Sequence, residues 1–275
     1  MLRISELFIY PIKSLGGIAL TSAQVTDRGF KHDRRWMLVD AEGNFMTQRA
    51  IPGMALFQAE IKEDQLAVYH KKTNAVIHIP FEASEEEMMV NVWSDRCRAR
   101  LVSKEISEWF SDMLSRNCSL VNMPDSTTRR VDGRYAHNKE ITSFSDAYPF
   151  LIIGQSSLDD LNSKLEVELP INRFRPNFVF TGGQPFEEDT LGHFAINDIE
   201  FYGVKLCARC VITTIDQESG TKAKEPLKTL SSYRMINQKV YFGQNLLHHG
   251  EGYLRVGDAI EIKERKKPRL SEDHI

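Results

Sequence analysis

Residues 205–220, Lys-Leu-Cys-Ala-Arg-Cys-Val-Ile-Thr-Thr-Ile-Asp-Gln-Glu-Ser-Gly, set Cys207 and Cys210 three apart, with Arg209 against the second. A pair so spaced can be a redox dithiol, half of a zinc site, or a thiolate ligand for another soft metal. A thioredoxin-like dithiol opens a helix, whose N-terminus favours the thiolate, whereas Val211 to Ile215 reads as a strand-type run ending in a turn at Asp216 to Gly220. A closed zinc site needs two further ligands at matching spacing. Cys97 and Cys118 stand alone and His248 and His249 are adjacent, which is not finger spacing. The surroundings weigh toward a soft-metal thiolate; two cysteines filling a β core as small apolar residues is the alternative.

Three other segments carry cations where a loop or strand end would present them. In Tyr10-Pro11-Ile12-Lys13-Ser14, proline stops regular pairing, so Lys13 and Ser14 can offer an ammonium, a hydroxyl and a backbone N–H to an anion. A surface lysine after a strand is the plainer reading. In His32-Asp33-Arg34-Arg35-Trp36 an arginine fork can hold phosphate while Asp33 orients it, although a surface Asp–Arg pair would look the same. In Arg173-Phe174-Arg175-Pro176-Asn177, Pro176 disfavours helical geometry at its predecessor, and extended backbone is expected to fix the direction of Arg175. Together these residues describe an anionic ligand held by Lys13, Arg34 and Arg175, with a soft metal on a cysteine.

The elements that must position them are mostly short strands. Strand-like segments at 7–10, 36–39, 45–47, 66–69, 76–79 and 98–102 are separated by turn residues, the pattern of a β barrel or sandwich. Asp40 to Asn44 reads as a hairpin turn, with Gly43 available for positive φ. Helical spacing appears at Ile106, Trp109, Phe110, Met113 and Leu114, and again at Leu158, Leu161 and Leu165, where Ser156 and Asp159 resemble a capping box. Residues 123–141 are polar and rich in Arg, Lys and His, as at a domain junction or the rim of a site. Strands return at 178–180, 199–201, 204–215, 253–256 and 259–262. The tail from Lys263 is charged and expected to be disordered.

With 275 residues and a formal charge of −3, the chain is long enough for one or two full cores and has no general attraction to nucleic acid. No apolar run reaches the roughly 20 residues that span a bilayer, and no secretory signal opens the sequence, so no membrane role and a cytoplasmic address are expected. Four cysteines without dense patterning do not form a disulfide framework.

Taken in order, the motifs Tyr-Pro-Ile-Lys-Ser at 10–14, Asp-Arg-Arg-Trp at 33–36, Ser-Asp-Ala-Tyr-Pro-Phe at 145–150, Phe-Arg-Pro-Asn at 174–177, Cys-Ala-Arg-Cys-Val-Ile-Thr-Thr at 207–214, Glu-Pro-Leu-Lys-Thr-Leu at 225–230, Phe-Gly-Gln-Asn at 242–245 and Val-Gly-Asp at 256–258 give the chain a family likeness. It resembles the MOSC-domain proteins, named for the molybdenum cofactor sulfurase C-terminal domain, and among them the amidoxime-reducing type. The resemblance implies a mainly β fold with a few helices (α+β), with an N-terminal β-barrel-like domain over 1–122, a MOSC β barrel over 123–264, and a tail over 265–275.

It also implies a molybdenum cofactor (Mo-molybdopterin) between the two domains. Cys210 would be the metal's thiolate ligand and catalytic residue, and Lys13, Ser14, Arg34, Arg175, Asn177 and Arg209 would hold the pterin and its phosphate. Cys207 is then a neighbour without an assigned role, for which packing is the plainer reading. The implied activity is two-electron reduction of N–OH to N–H in hydroxylamines, N-hydroxylated nucleobases and amidoximes, with Asp146 and His137 as candidate proton donors at the rim. Some bacterial relatives continue into a ferredoxin-like domain, whereas this sequence has no cysteine after Cys210. An external electron donor protein (a ferredoxin, flavodoxin-type or haem protein) is therefore expected. Two other readings remain: a sulfur or cofactor carrier holding a persulfide on Cys210, and a cofactor-free interaction module.

Overall fold

A computed structural model of the chain describes residues 1–267 apart from Ala83 and Glu85. Seven strands close into a barrel in the order Leu2–Ile9, Ala259–Arg265, Leu191–Ile196, Ile199–Ala208, Lys239–His249, Phe150–Gly154 and Phe178–Thr181, the last pairing back onto the first. Closure buries both faces of the middle strands, which is why Phe178-Val179-Phe180 and Phe150 to Gly154 read as unbroken apolar runs rather than alternating ones. Within the barrel, Phe30, Phe150, Phe178 and Phe201 pack in edge-on and tilted pairs at centroid separations of 4.9–5.7 Å. Such pairs add to the burial term, since ring edges meet ring faces. Gly203 lets Ile199–Ala208 pass close to its neighbour: a Cβ there would sit 2.0 Å from the Leu191 carbonyl oxygen.

The N-terminal half forms two smaller sheets. One orders Trp36–Val39, Ser119–Asn122, Asp95–Leu101 and Glu87–Val92; the other is the meander Phe57–Ile61, Gln65–His70, Val76–Pro80. The helix Lys104–Leu114 packs between them by Ile106 and Phe110, which are buried with Phe57, Leu66 and Leu120. Ser103 caps it by accepting the Ile106 N–H at 3.0 Å. The turn at Asp40 to Asn44 forms as expected: Asp40 N–H donates to the Asn44 carbonyl at 2.9 Å, and Gly43 has φ of 78°. Flanking it, Val39 and Phe45 make only an isolated bridge. The chain's first strand does not stay with this half, because Leu2–Ile9 belongs to the barrel.

Three local expectations are corrected. Val211 to Thr214 is a 3-10 turn rather than a strand: after Ala208 the chain leaves the barrel, and Cys210 caps the turn by accepting the Thr213 N–H at 3.1 Å. The β-branched run is explained by burial of Thr213, Thr214 and Ile215 instead of by pairing. Ser156 is no helix cap, because the helix Gln155–Asn162 starts from Gly154 and Ser156 Oγ donates to the Gly183 carbonyl at 2.8 Å. Arg175, finally, is not extended; its φ is 56°. Of the expected tail, Arg265 ends a barrel strand and Lys266 N–H bonds the Thr190 carbonyl at 2.8 Å, while residues 268–275 lie outside the described residues. Among the described residues no helix is long and apolar enough to cross a membrane.

Beside the barrel, Glu188 is buried next to Asp189, which pairs with Arg234 at 2.6 Å. Burial and the neighbouring Asp189 charge push the Glu188 carboxyl from 4.5 up to about 8. The folded protein thus holds a proton that the unfolded chain releases above the ordinary carboxylate range. Glu188 supports the fold fully at low pH and loses that support as pH rises through about 8. Thermal midpoints measured from roughly pH 6.5 to 9 should fall in the wild type and stay nearly flat in Glu188→Gln, whose amide cannot ionise.

Candidate functional site

One cleft is lined by Lys13, Ser14, Arg34, Arg175, Asn177, Arg209 and Cys210, so the residues expected to hold the cofactor and its metal come together. Arg49 and Arg173 line it as well. Its lining thus carries Lys13 and five arginines (34, 49, 173, 175 and 209) against one carboxylate, Asp146.

The chain places these groups by leaving regular structure at each point. After Leu2–Ile9, Tyr10 N–H donates to Asp33 Oδ1 at 2.8 Å, and Lys13 N–H donates to the Trp36 carbonyl at 2.8 Å, fixing the 10–14 loop against the 33–36 segment. Ser14, Arg34 and Arg175 have φ of 69°, 49° and 56°, a region that non-glycine side chains rarely adopt. Left-handed residues gathered at one cleft are backbone strain held by the surrounding structure, which is where binding sites tend to place it.

Asp33, 2% exposed, orients Arg34 by accepting from Nη1 at 2.6 Å. Arg34 also donates to Asn177 Oδ1 and the Arg175 carbonyl, each at 3.2 Å. Arg34 and Arg175 sandwich the Tyr10 ring at 4.3 and 4.2 Å, so two like charges share one π surface. Arg175 Nη1 is tied to the Leu15 carbonyl at 2.7 Å, and burial pulls its guanidinium down to about 10, which leaves it charged at neutral pH. Asn177 Oδ1 serves Arg34 and the Leu151 N–H, while Nδ2 donates one of its two N–H groups to the Phe8 carbonyl at 3.2 Å. It positions Arg34 and also lines the cleft.

Arg209 donates from Nη1 to Cys207 Sγ at 2.8 Å and from Nη2 to the Phe174 carbonyl. Cys207 itself is partly buried against the cluster containing Phe174 and Phe242. Cys210 Sγ receives Arg49 Nη2 at 3.7 Å. The Nε atoms of Arg49, Arg173 and Arg209 are buried without a partner among the described residues. An excess of buried cationic donors beside one thiol suits a multiply anionic ligand that also offers a metal to sulfur.

The candidate proton donors fare differently. Lys13 Nζ donates to Asp146 Oδ1 at 2.6 Å and to the Phe144 carbonyl at 2.8 Å. Loss of hydration works to raise the Asp146 carboxyl, but the Lys13 ammonium, the Trp93 indole N–H and Arg34 outweigh it and hold the group well below the usual carboxylate range. Asp146 is therefore an anion at neutral pH and has no proton to give. His137 does not line the cleft; it is exposed and its ring lies 5.5 Å from that of Tyr202.

Arg49 escaped the sequence reading because nothing in Met46-Thr47-Gln48-Arg49 has a pattern of its own; the fold carries it across to Cys210. Gln48 and Gln217 lock that crossing through reciprocal amide bonds of 3.1 and 3.0 Å. Trp93 was missed as well; it sits in the two-residue turn before Asp95, where a small or polar residue is usual, and that mismatch is the signal that could have found it.

Residues 1–117 match the MOSC N-terminal beta barrel domain and residues 139–261 the MOSC domain. The chain is 33% identical to the mitochondrial amidoxime-reducing component 1 of Mus musculus, an alignment covering 94% of this chain and 82% of that one. Identity to the Homo sapiens protein of the same name is 32% over the same shares. The molybdenum cofactor sulfurase of Arabidopsis thaliana matches at 29% over 87% of this chain and 32% of its own length. The chain is thus a member of the MOSC-domain family, with both the MOSC N-terminal and MOSC domains, and a homologue of the mitochondrial amidoxime-reducing components.

Proposed function

We propose that this chain is a molybdenum-cofactor-dependent reductase of N-hydroxylated compounds, amidoximes, hydroxylamines and N-hydroxylated nucleobases among them. The observation that carries the proposal is the meeting of one thiol, Cys210, with six cationic side chains in one cleft. Relatives named amidoxime-reducing component support the chemistry. Among the described residues no group of three or more His, Cys, Asp or Glu side chains could hold a metal ion by itself, so Cys210 would be the protein's thiolate to a metal brought by a cofactor.

In this reading Lys13, Ser14, Arg34, Arg175 and Arg209 hold the pterin and its phosphate, Asn177 and Asp33 keep Arg34 aimed, and Cys210 supplies the thiolate. The bound cofactor supplies a two-electron centre able to take up an oxygen atom. The net reaction consumes two electrons and two protons, converting R–C(NH2)=N–OH to the amidine and water. The electrons come from an external donor protein (a ferredoxin, flavodoxin-type or haem protein). All four cysteines are free, in keeping with a reducing compartment such as the cytoplasm.

The test is metal and oxidised-pterin content of protein from a host that makes the cofactor, followed by turnover of benzamidoxime with a reduced artificial donor. Near-stoichiometric molybdenum and turnover are expected; neither metal nor pterin in folded protein would overturn the proposal. The match to a molybdenum cofactor sulfurase favours one second reading, a sulfur or cofactor carrier using a Cys210 persulfide. That reading predicts cyanide-releasable sulfur without turnover.

A further inference from the structure

Among the described residues that line the cleft one carboxylate, Asp146, is found, and it has a free oxygen. Asp146 Oδ1 takes both Lys13 Nζ at 2.6 Å and Trp93 Nε1 at 3.2 Å, whereas Oδ2 has no partner among the described residues. The Asp146 side chain is 65% exposed although its lysine partner is 7% exposed, so the acid looks into the cleft while its counter-ion stays behind it.

Trp93 is there at a cost. It fills the first loop position of the two-residue hairpin joining Glu87–Val92 to Asp95–Leu101, where Asp95 pairs with Val92. Its φ is 58°, and the position favours glycine or asparagine. Nor does packing explain the residue, since Trp93 is 47% exposed. It is held instead by the Arg49 guanidinium 4.6 Å above its ring and by Phe45 at 5.0 Å. The same Arg49 reaches Cys210 Sγ. The hairpin tip thus ties the free acceptor on Asp146 to the thiol around which the chemistry is proposed.

We propose that Asp146 Oδ2 is the substrate-selecting acceptor of the cleft, binding the N–H groups of amidoximes and related N-hydroxylated amidines and guanidines, with Trp93 and Arg49 as its positioning residues. This rests on the reductase reading. A carboxylate rather than an amide or hydroxyl fits because the product amidine is a cation, and a lone anion among fixed positive groups favours ligands that bring donors. N,N-disubstituted hydroxylamines, which lack N–H groups, gain nothing from it.

Asp146→Asn is the informative change: an amide keeps an oxygen for Lys13 and Trp93 and turns an N–H toward the cleft, so the acceptor becomes a donor. On the holoprotein, calorimetric binding of benzamidinium should weaken by about tenfold or more, the effect of losing a bond to a charged group. The KM for benzamidoxime should rise on the same scale while that for N,N-diethylhydroxylamine, an N-hydroxylated substrate without an N–H group, moves less than about twofold. Trp93→Phe keeps the ring for Arg49 but removes the indole N–H, and should raise the benzamidoxime KM by roughly threefold at unchanged kcat. Benzamidinium binding reads Asp146 whether or not the protein turns over, which separates this inference from the reductase reading. Equal losses for both substrates, unchanged benzamidinium binding, or a fall in molybdenum and pterin content in Asp146→Asn would overturn it, the last by placing Asp146 in service of the cofactor.

Discussion

Cys210→Ser should yield a folded protein that retains much of its pterin and loses turnover of benzamidoxime by more than about a thousandfold, the scale set by removing a group at a reacting centre. The fold should survive because what Cys210 contributes to it is backbone: its carbonyl accepts from Thr213 N–H at 3.1 Å and Thr213 Oγ1 at 3.0 Å. The side chain is half-buried, and its recorded contact, Arg49 Nη2 at 3.7 Å, can be made by a hydroxyl. Binding should largely survive because Lys13, Arg34, Arg175 and Arg209 remain. Turnover should not, since an uncharged hydroxyl is a poor ligand for a soft metal. Cys207→Ser is the control. Its sulfur packs beside Phe174 and supports Arg209, so a loss of no more than about tenfold is expected. Circular dichroism, pterin content and turnover on the two variants decide the matter, and full activity in Cys210→Ser would remove the thiolate from the mechanism.

How far the sequence foretold the site depended on whether a residue's role was written in its neighbours. Lys13, Arg34 and Arg175 stood beside Pro11, Asp33 and Pro176, residues that break or aim the backbone, and the structure brings all three into the cleft. Arg175 arrived there by a conformation the sequence did not indicate. Proline disfavours the right-handed helical region before it but leaves more than one region open, and contacts with Tyr10, Leu15 and Arg34 accompany the left-handed one. The run Val211 to Ile215 misled because β-branching reports burial as readily as pairing, and here a 3-10 turn buries it. Arg49 was silent because its meaning lies wholly in tertiary placement, 161 residues from the sulfur it touches. The barrel was more legible than its closure. Phe150 to Gly154 lies parallel to Phe178–Thr181 and antiparallel to Lys239–His249, a pairing that no local pattern encodes.

Arg175→Ala should weaken cofactor retention by roughly 10- to 150-fold, equivalent to a charge-assisted hydrogen bond of about 1.5–3 kcal/mol. The effect has two sources that act in the same direction. One guanidinium leaves the part of the cleft proposed to hold the phosphate, and the two guanidinium contacts with Tyr10 fall to one. Alanine must also keep a φ of 56° without the Leu15 carbonyl bond that now accompanies it, so the 174–177 segment should relax toward a more common backbone. Arg175→Lys separates the two sources. It restores a positive charge but not the planar fork that stacks on Tyr10 while reaching Leu15, so a recovery of charge alone should bring back only part of the occupancy. Pterin and molybdenum content after dialysis, measured against a thermal midpoint for each variant, gives the answer. Full occupancy in Arg175→Ala would place the anion elsewhere in the cleft. Loss in Ala with full recovery in Lys would show that charge, and not the stacked geometry around Tyr10, holds the ligand.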